Sequence, residues 1–203
     1  MIALPAFLLE TPLPGLGRGL TPPEADMTRK YLELLVKWQR VHRLIGSTEV
    51  AWMAHNVIAD SLAFLAALPP PIQSLADVGS GAGMPGVPIA IVRPNVQVVL
   101  IEGRQRRVSF LSTVVRELGL EHVEVVGARV EDLGDQYTDR FDAAVSRCGG
   151  PAPDLLPKVW PIVRSGGVIV TSVAASAPST EGERLALRTP DGMTRWFQRY
   201  VKR

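Results

Sequence analysis

The chain carries one cysteine, Cys148, in 203 residues. A lone thiol excludes an intramolecular disulfide framework and fits a reducing compartment, so the cytoplasm is the expected location. Three histidines, His42, His55 and His122, stand at no metal-ligand spacing and have no second cysteine, so no metal is expected. No stretch reaches the ~18 uninterrupted apolar residues of a membrane span, and no membrane role is expected. The apolar start, Ile2 to Leu9, lacks a preceding basic residue and is interrupted by Pro5, which argues against a signal peptide. Charge of one sign is also missing: the formal net charge is +2, which by itself says little about nucleic acid. There is no internal repeat, and no low-complexity segment beyond proline-rich joints.

What remains is a chain of ordinary single-domain length with ample apolar content for a core. Residues 1–22, rich in Pro, Gly and Leu, read as a flexible lead-in. Residues 23–71 read as N-terminal helices. Thr21 and Glu24 can form a capping box with Pro22 in the first turn, and Met27, Tyr31, Leu34, Leu35, Trp38, Val41, His42 and Ile45 then recur at helical spacing up to Gly46. Ser47 or Thr48 caps a second amphipathic helix, Val50 to Leu68, which Pro69-Pro70-Pro71 stops. Residues 72–203 alternate: strand 74–78, helix 86–93, strand 96–102, helix 104–118 closed by Gly119, strands 122–126, 141–145 and 167–173. Between the last two, Pro157 and Pro161 allow only a kinked or short helix. Residues 184–187 and 194–201, joined through Thr189-Pro190-Asp191-Gly192, read as a terminal β-hairpin. Parallel strands followed by an antiparallel hairpin is the order of a class I S-adenosylmethionine-dependent methyltransferase: an α/β, Rossmann-like, doubly wound fold, here preceded by helices.

The turn from strand 74–78 into its helix reads Asp77-Val78-Gly79-Ser80-Gly81-Ala82-Gly83. Glycines there let backbone pass close beneath a ligand. A nicotinamide fingerprint wants its third glycine at the sixth position, where this chain has Met84. S-adenosyl-L-methionine fits better, since it lacks a pyrophosphate and its cationic groups favour a nearby carboxylate such as Asp77. Glu102, about 20 residues beyond the glycines, ends the next strand and suits both ribose hydroxyls. The plainer reading is a generic α/β turn and a surface acid.

The extended run Asp77 to Pro88, with Met84-Pro85-Gly86-Val87-Pro88, resembles the motif of the RsmG/GidB family, methyltransferases acting on guanine N7 in 16S ribosomal RNA. Lys37-Trp38, His55 with Asp60-Ser61 at a longer spacing, Arg106-Arg107 with Phe110-Leu111, and Ser146-Arg147 are similar to further family motifs in the same order, across residues 30 to 173. The resemblance implies a cofactor site of Asp77, Gly79, Ser80, Gly81, Gly83, Met84, Glu102, Val130, Glu131 and Arg147. Arg147 and His55 are then the candidates for positioning the base, and Arg106 and Arg107 for RNA contact. Ribosomal RNA or the small ribosomal subunit is the implied partner, and a monomer is expected. Gln39 and Arg43 stand where the family usually has asparagines, Ile45 where it often has threonine, Asn56 where it has an apolar residue, and Val173 near its strand-five lysine. The linker 174–182 is too short for the usual helix. These departures fall on the substrate side of the site, so a small-molecule methyltransferase and a non-catalytic RNA-binding protein remain alternatives.

Guanine N7 already holds a free lone pair, so its methylation needs positioning and no general base. That agrees with the absence of any acid, base and nucleophile constellation. The sequence after strand four, Ser146-Arg147-Cys148-Gly149-Gly150-Pro151, lacks the Pro-Pro-aromatic motif of amino-group methyltransferases. Cys148 could be a nucleophile as in cytosine-C5 enzymes, but a small residue under the pocket is the simpler reading. Met84 could equally be core packing, Glu131 a solvated acid, and His42 a core histidine. Basic residues cluster at Arg104, Arg106 and Arg107, at Lys30, Lys37 and Arg40, and at Arg195, Arg199, Lys202 and Arg203. These are either solvated faces or, if they share the face of the pocket, phosphate contacts.

Overall fold

A computed structural model describes residues 2–147, 150–177, 181–190 and 192–203. Cys148, with its nucleophile reading, and Asp191 of the terminal turn lie outside the described residues. Seven strands form one sheet in the order β3-β2-β1-β4-β5-β7-β6. They are β1 Ser74–Val78, β2 Gln97–Ile101, β3 Val123–Val126, β4 Phe141–Ser146, β5 Val163–Val173, β6 Glu183–Arg188 and β7 Thr194–Val201. The first five run parallel, and β7 lies antiparallel to β5 with β6 outside it. The strand order reverses between β1 and β4, where open α/β sheets place their ligands.

The central strands are continuous apolar runs because both faces are covered. Their side chains alternate between two cores. Leu75, Val98, Leu100, Val145 and Val170 face one core with five helices: α1 Ala6–Glu10, α2 Pro22–His42, α3 Val50–Ala67, α4 Gly86–Val92 and α5 Gln105–Leu118. Ala76, Val99, Ile101, Ala144 and Ile169 face the other, beneath α6 Ala152–Val159. Among the described residues of 174–182 there is no helix, and a groove of about 1010 Å³ lies between α6 and the β6–β7 edge.

α2 starts as its sequence demands: the Glu24 carboxylate accepts the Thr21 N–H at 2.7 Å and also pairs with Arg18 at 2.7 Å. It ends earlier than the apolar spacing predicts, at Arg43 in the left-handed region with φ 42°. The Gln39 side chain turns the chain there, accepting the Leu44 and Ile45 N–H groups and donating to the Ile45 carbonyl. Val41, expected on the apolar face, is therefore 74% exposed.

Two further segments differ from expectation. The lead-in 1–22 buries Leu8, Leu13 and Leu20 in the helical core. Gly19 makes this possible, because a Cβ there would sit 1.9 Å from the Leu9 carbonyl oxygen. α3 matches a membrane span in length and apolar content, yet more than half of it is buried in the fold. Its middle, Ala54–Ala59, is π-helical, and the Asp60 N–H bonds back to the His55 carbonyl. Such wide turns often sit at functional sites.

Candidate active site

The glycine turn is built from the sheet outward. The Gly79 and Ser80 N–H groups both reach the Ile101 carbonyl, at 2.9 and 3.1 Å, which locks the turn to the end of β2. Gly79 has φ +74° and a Cβ there would meet nothing within 4 Å, so its open side faces the cleft. Gly83, at φ +91°, has the opposite reason: a Cβ would lie 2.7 Å from Val87 Cγ2. One glycine leaves room for a ligand, and the other lets α4 pack. Ser80 is buried and donates to the Asp77 carbonyl at 2.8 Å. Tyr31 of α2, fully buried, donates to the Ala82 carbonyl at 2.6 Å and ties the helical layer to the turn.

Asp77 sits behind the turn. It is fully buried, and its Oδ2 accepts the Gly86 N–H at 2.9 Å, capping α4. Its Oδ1 has no hydrogen-bond partner among the described residues. Burial, with nearby Glu102 adding to it, pushes the carboxyl up to about 7 despite the Gly86 N–H. A direct contact between this carboxylate and a ligand, as the sequence suggests, is screened by the turn itself.

Glu102 is 5% exposed at the end of β2. One carboxylate oxygen accepts the Gly81 N–H at 3.0 Å and the other the Arg104 N–H at 2.8 Å. Each retains a lone pair for a hydroxyl. Arg107 stands 3.6 Å from it, on the cofactor side, whereas Arg106 is exposed. A cleft of about 180 Å³ opens beside this acid, lined by Gly79, Ile101, Gly103, Val130, Glu131 and Lys158 among others. Glu131 pairs with Lys158 at 3.2 Å, and its own N–H and that lysine hold its carboxyl below the usual range. An open glycine, a buried acid with spare acceptors and an apolar wall at Val130 fit the adenosine half of S-adenosylmethionine.

A second pocket of about 170 Å³ lies at the ends of β4 and β5, against β7. Ser146 donates to the Val78 carbonyl at 2.8 Å, joining the ends of β4 and β1, and Arg147 follows. The Arg147 guanidinium reaches Met84 Sδ at 3.3 Å, the Asn56 carbonyl, and Asp60 Oδ2 at 3.3 Å. The structure thus brings Met84 and Arg147 together, with Asp60 beside them. Asp60 Oδ1 also accepts from Arg195 Nε at 2.5 Å. Arg195 and Trp196 are the residues the sequence reading left unassigned at this site. Their alternation within a hairpin strand gave no local signal. His55 lies on the neighbouring groove with Trp52 and Arg195, its ring stacked 4.4 Å from Phe7.

The basic clusters separate. The Trp38–Phe110 contact, at 5.5 Å, and the Lys30–Glu117 pair, at 3.6 Å, set α2 antiparallel to α5. The exposed Lys37 and Arg40 therefore share one end with Arg104, Arg106 and Arg107. The C-terminal cluster is split along β7: Arg195 is in the pocket, Arg199 pairs with Glu183, and Lys202 binds Asp139 and the Trp160 and Val163 carbonyls at the opposite end. Among the described residues, no three His, Cys, Asp or Glu side chains gather as metal ligands.

Sheet order, glycine turn and strand-end acid together define a class I methyltransferase fold. A crystal structure described as a methyltransferase from Geobacter sulfurreducens shares that fold, with a TM-score of 0.56, 16% identity and coverage of 93% of this chain and 92% of that one. The sequence model of the GidB family, rRNA small subunit methyltransferase G, matches residues 24–184, and the chain belongs to this family. It is similar to ribosomal RNA small subunit methyltransferase G of Moorella thermoacetica, 37% identical, covering 82% of this chain and 70% of that protein. The protein of the same name from Nitrosospira multiformis is 39% identical, covering 75% and 68%.

Proposed function

We propose that the chain transfers a methyl group from S-adenosylmethionine to N7 of a guanine in 16S ribosomal RNA. The observation that carries the reading is Arg147, which stands at the mouth of β4 with one guanidinium nitrogen on the Met84 sulfur and another on Asp60. It links the cofactor turn to a second, separate pocket. When bound, S-adenosylmethionine supplies an electrophilic methyl group on a sulfonium.

The remaining work belongs to the protein. Glu102 holds the ribose through its spare lone pairs, Gly79 gives the ligand backbone-close access, and Val130 and Glu131 border the adenine. Asp77 acts through the turn it caps. Arg147 fixes the base or its phosphate so that N7 lies ~3 Å from the methyl carbon and in line with the departing sulfur. The product guanine carries the positive charge that leaves the sulfonium, so no proton needs to move. Lys37, Arg40, Arg104 and Arg106 form a basic end suited to RNA phosphates, and the site of action is the cytoplasm.

The test is methyl transfer from tritiated S-adenosylmethionine to 30S subunits and 16S RNA from a strain lacking the modification. Label should enter RNA, and borohydride with aniline should cleave at a single N7-methylguanosine. Label in small molecules alone, or no transfer at any salt concentration, would refute the assignment.

A further inference from the structure

We propose that the pocket between the ends of β4 and β5 and the start of β7 is the nucleobase subsite, and that Asp60 reads guanine within it. This rests on the methyl-transfer reading above and names the residue that selects its substrate. The pocket is lined by Asp60, Phe64, Arg147, Val173, Arg195 and Trp196 among others. Its volume, about 170 Å³, corresponds to roughly six waters at ~30 Å³ each, room for one planar base and little more.

Asp60 lies between two guanidinium groups, 3.3 Å from Arg147 and 2.5 Å from Arg195, with its side chain 15% exposed. An ionised carboxylate offers about four lone-pair sites. The two arginines occupy one on each oxygen, and each oxygen keeps another. Two parallel acceptors match the N1–H and N2–H donors of guanine. Adenine presents an acceptor at N1, which would oppose the carboxylate lone pairs. The Arg147 guanidinium supplies the donor that guanine O6 needs, because arginine has five and its contacts to Asn56, Met84 and Asp60 use only some of them. Bound this way by its Watson–Crick edge, the base keeps N7 free of hydrogen bonds, with its lone pair open to the methyl group.

The ring face has a partner as well. Trp196 forms part of the wall, with the Arg184 guanidinium 4.6 Å from its ring centroid, and Arg184 is itself tethered to the Ala174, Ala175 and Ala177 carbonyls. Single-stranded RNA bases are held by such aromatic surfaces together with edge contacts. As a purely structural clasp, two arginines on one half-buried carboxylate would be a poor investment, since desolvation offsets most of the attraction. A cleft position with acceptor capacity to spare accounts for it better.

The experiment removes one donor from the substrate and its acceptor from the protein. The target guanine is mapped with wild-type enzyme, and 30S subunits are then reconstituted with 16S RNA carrying inosine at that position. Inosine keeps N7, O6 and N1–H and lacks only the N2 amino group. Wild-type kcat/KM should fall about 5- to 150-fold on the inosine RNA. Asp60→Ala should be slow on both RNAs and discriminate between them less than about twofold. Asp60→Asn, which keeps the volume, should likewise lose discrimination, and unchanged S-adenosylhomocysteine affinity in both variants shows that the fold is intact. A structural Asp60 would slow both RNAs by one factor and preserve the inosine penalty, which overturns the subsite. Equal wild-type rates on the two RNAs overturn it too. Absence of any N7 methylation by wild type removes the parent reading and this one with it.

Discussion

Asp77→Asn isolates the buried carboxyl group behind the glycine turn. In the folded chain burial pushes that carboxyl up to about 7. In the unfolded chain it returns to about 3.9. The folded state therefore binds the proton more tightly, so the stability this group contributes is fully present at low pH. It is lost as pH rises from about 4 through about 7. Linkage between those two values puts the loss from pH 5 to pH 8 at about 2–3 kcal/mol. Asparagine has the same shape, keeps an oxygen for the Gly86 N–H at 2.9 Å and never ionises. The stability of the variant relative to wild type should accordingly improve by about 2–3 kcal/mol over that range, or roughly 5–10 °C in Tm. Urea unfolding of both proteins at pH 5, 6, 7 and 8 reads this directly, because titrating groups not coupled to Asp77 cancel in the difference. Parallel pH curves would show that the carboxyl titrates normally in the folded chain. A variant that loses stability relative to wild type as pH rises would reverse the sign. Either result refutes the argument.

Gly79→Arg should fold at a cost of about 1–2 kcal/mol for a side chain at φ +74°, because a Cβ there meets nothing within 4 Å, and its side chain fills the cleft. Calorimetry should show S-adenosylhomocysteine binding weakened at least about 100-fold, with retained affinity counting against the cofactor site. Tyr31→Phe removes the 2.6 Å bond to the Ala82 carbonyl and should cost about 1–3 kcal/mol in chemical denaturation. A loss below about 0.5 kcal/mol would mean that the carbonyl finds another partner. Arg104→Gln combined with Arg106→Gln should flatten the dependence of log kcat/KM on log salt by about one to two, since each phosphate contact contributes about one. An unchanged slope would place the RNA elsewhere.

The sheet and the glycine turn were legible because their signals are local. Buried apolar runs mark β1, β2 and β4, Gly119 closes α5 at φ +65°, and Gly79 and Gly83 occupy left-handed conformations that other residues avoid. The lead-in was less legible. Leu8, Leu13 and Leu20 have no period, and their burial depends on close approach rather than pattern. At Gly15 a Cβ would lie 2.3 Å from the Ala66 backbone nitrogen, a contact across the whole helical layer. The end of α2 was misplaced for a related reason: Gln39 gains its hydrogen bonds only once the chain has already turned.

The substrate side was hidden by distance along the chain. Asp60 meets Arg147 across 87 residues and Arg195 across 135. Each looks ordinary alone: an acid in an apolar helix, an arginine after a strand, and one basic residue among several in a hairpin. The sequence does show a longer spacer between His55 and Asp60 than the family motif has. In the structure that spacer is wound into the π-helical stretch Ala54–Ala59, and Asp60 still faces the pocket. An insertion inside a helix would ordinarily rotate every later residue to another face. The i→i+5 winding of the π-helical stretch offsets roughly one residue of such a rotation, and Asp60 stands between its two arginines. The departures at Gln39 and Arg43 lie in the turn that ends α2, outside that pocket. The cofactor turn, β4 mouth and Asp60 form one continuous surface, and of the altered positions only Val173 and the Asn56 backbone carbonyl border it.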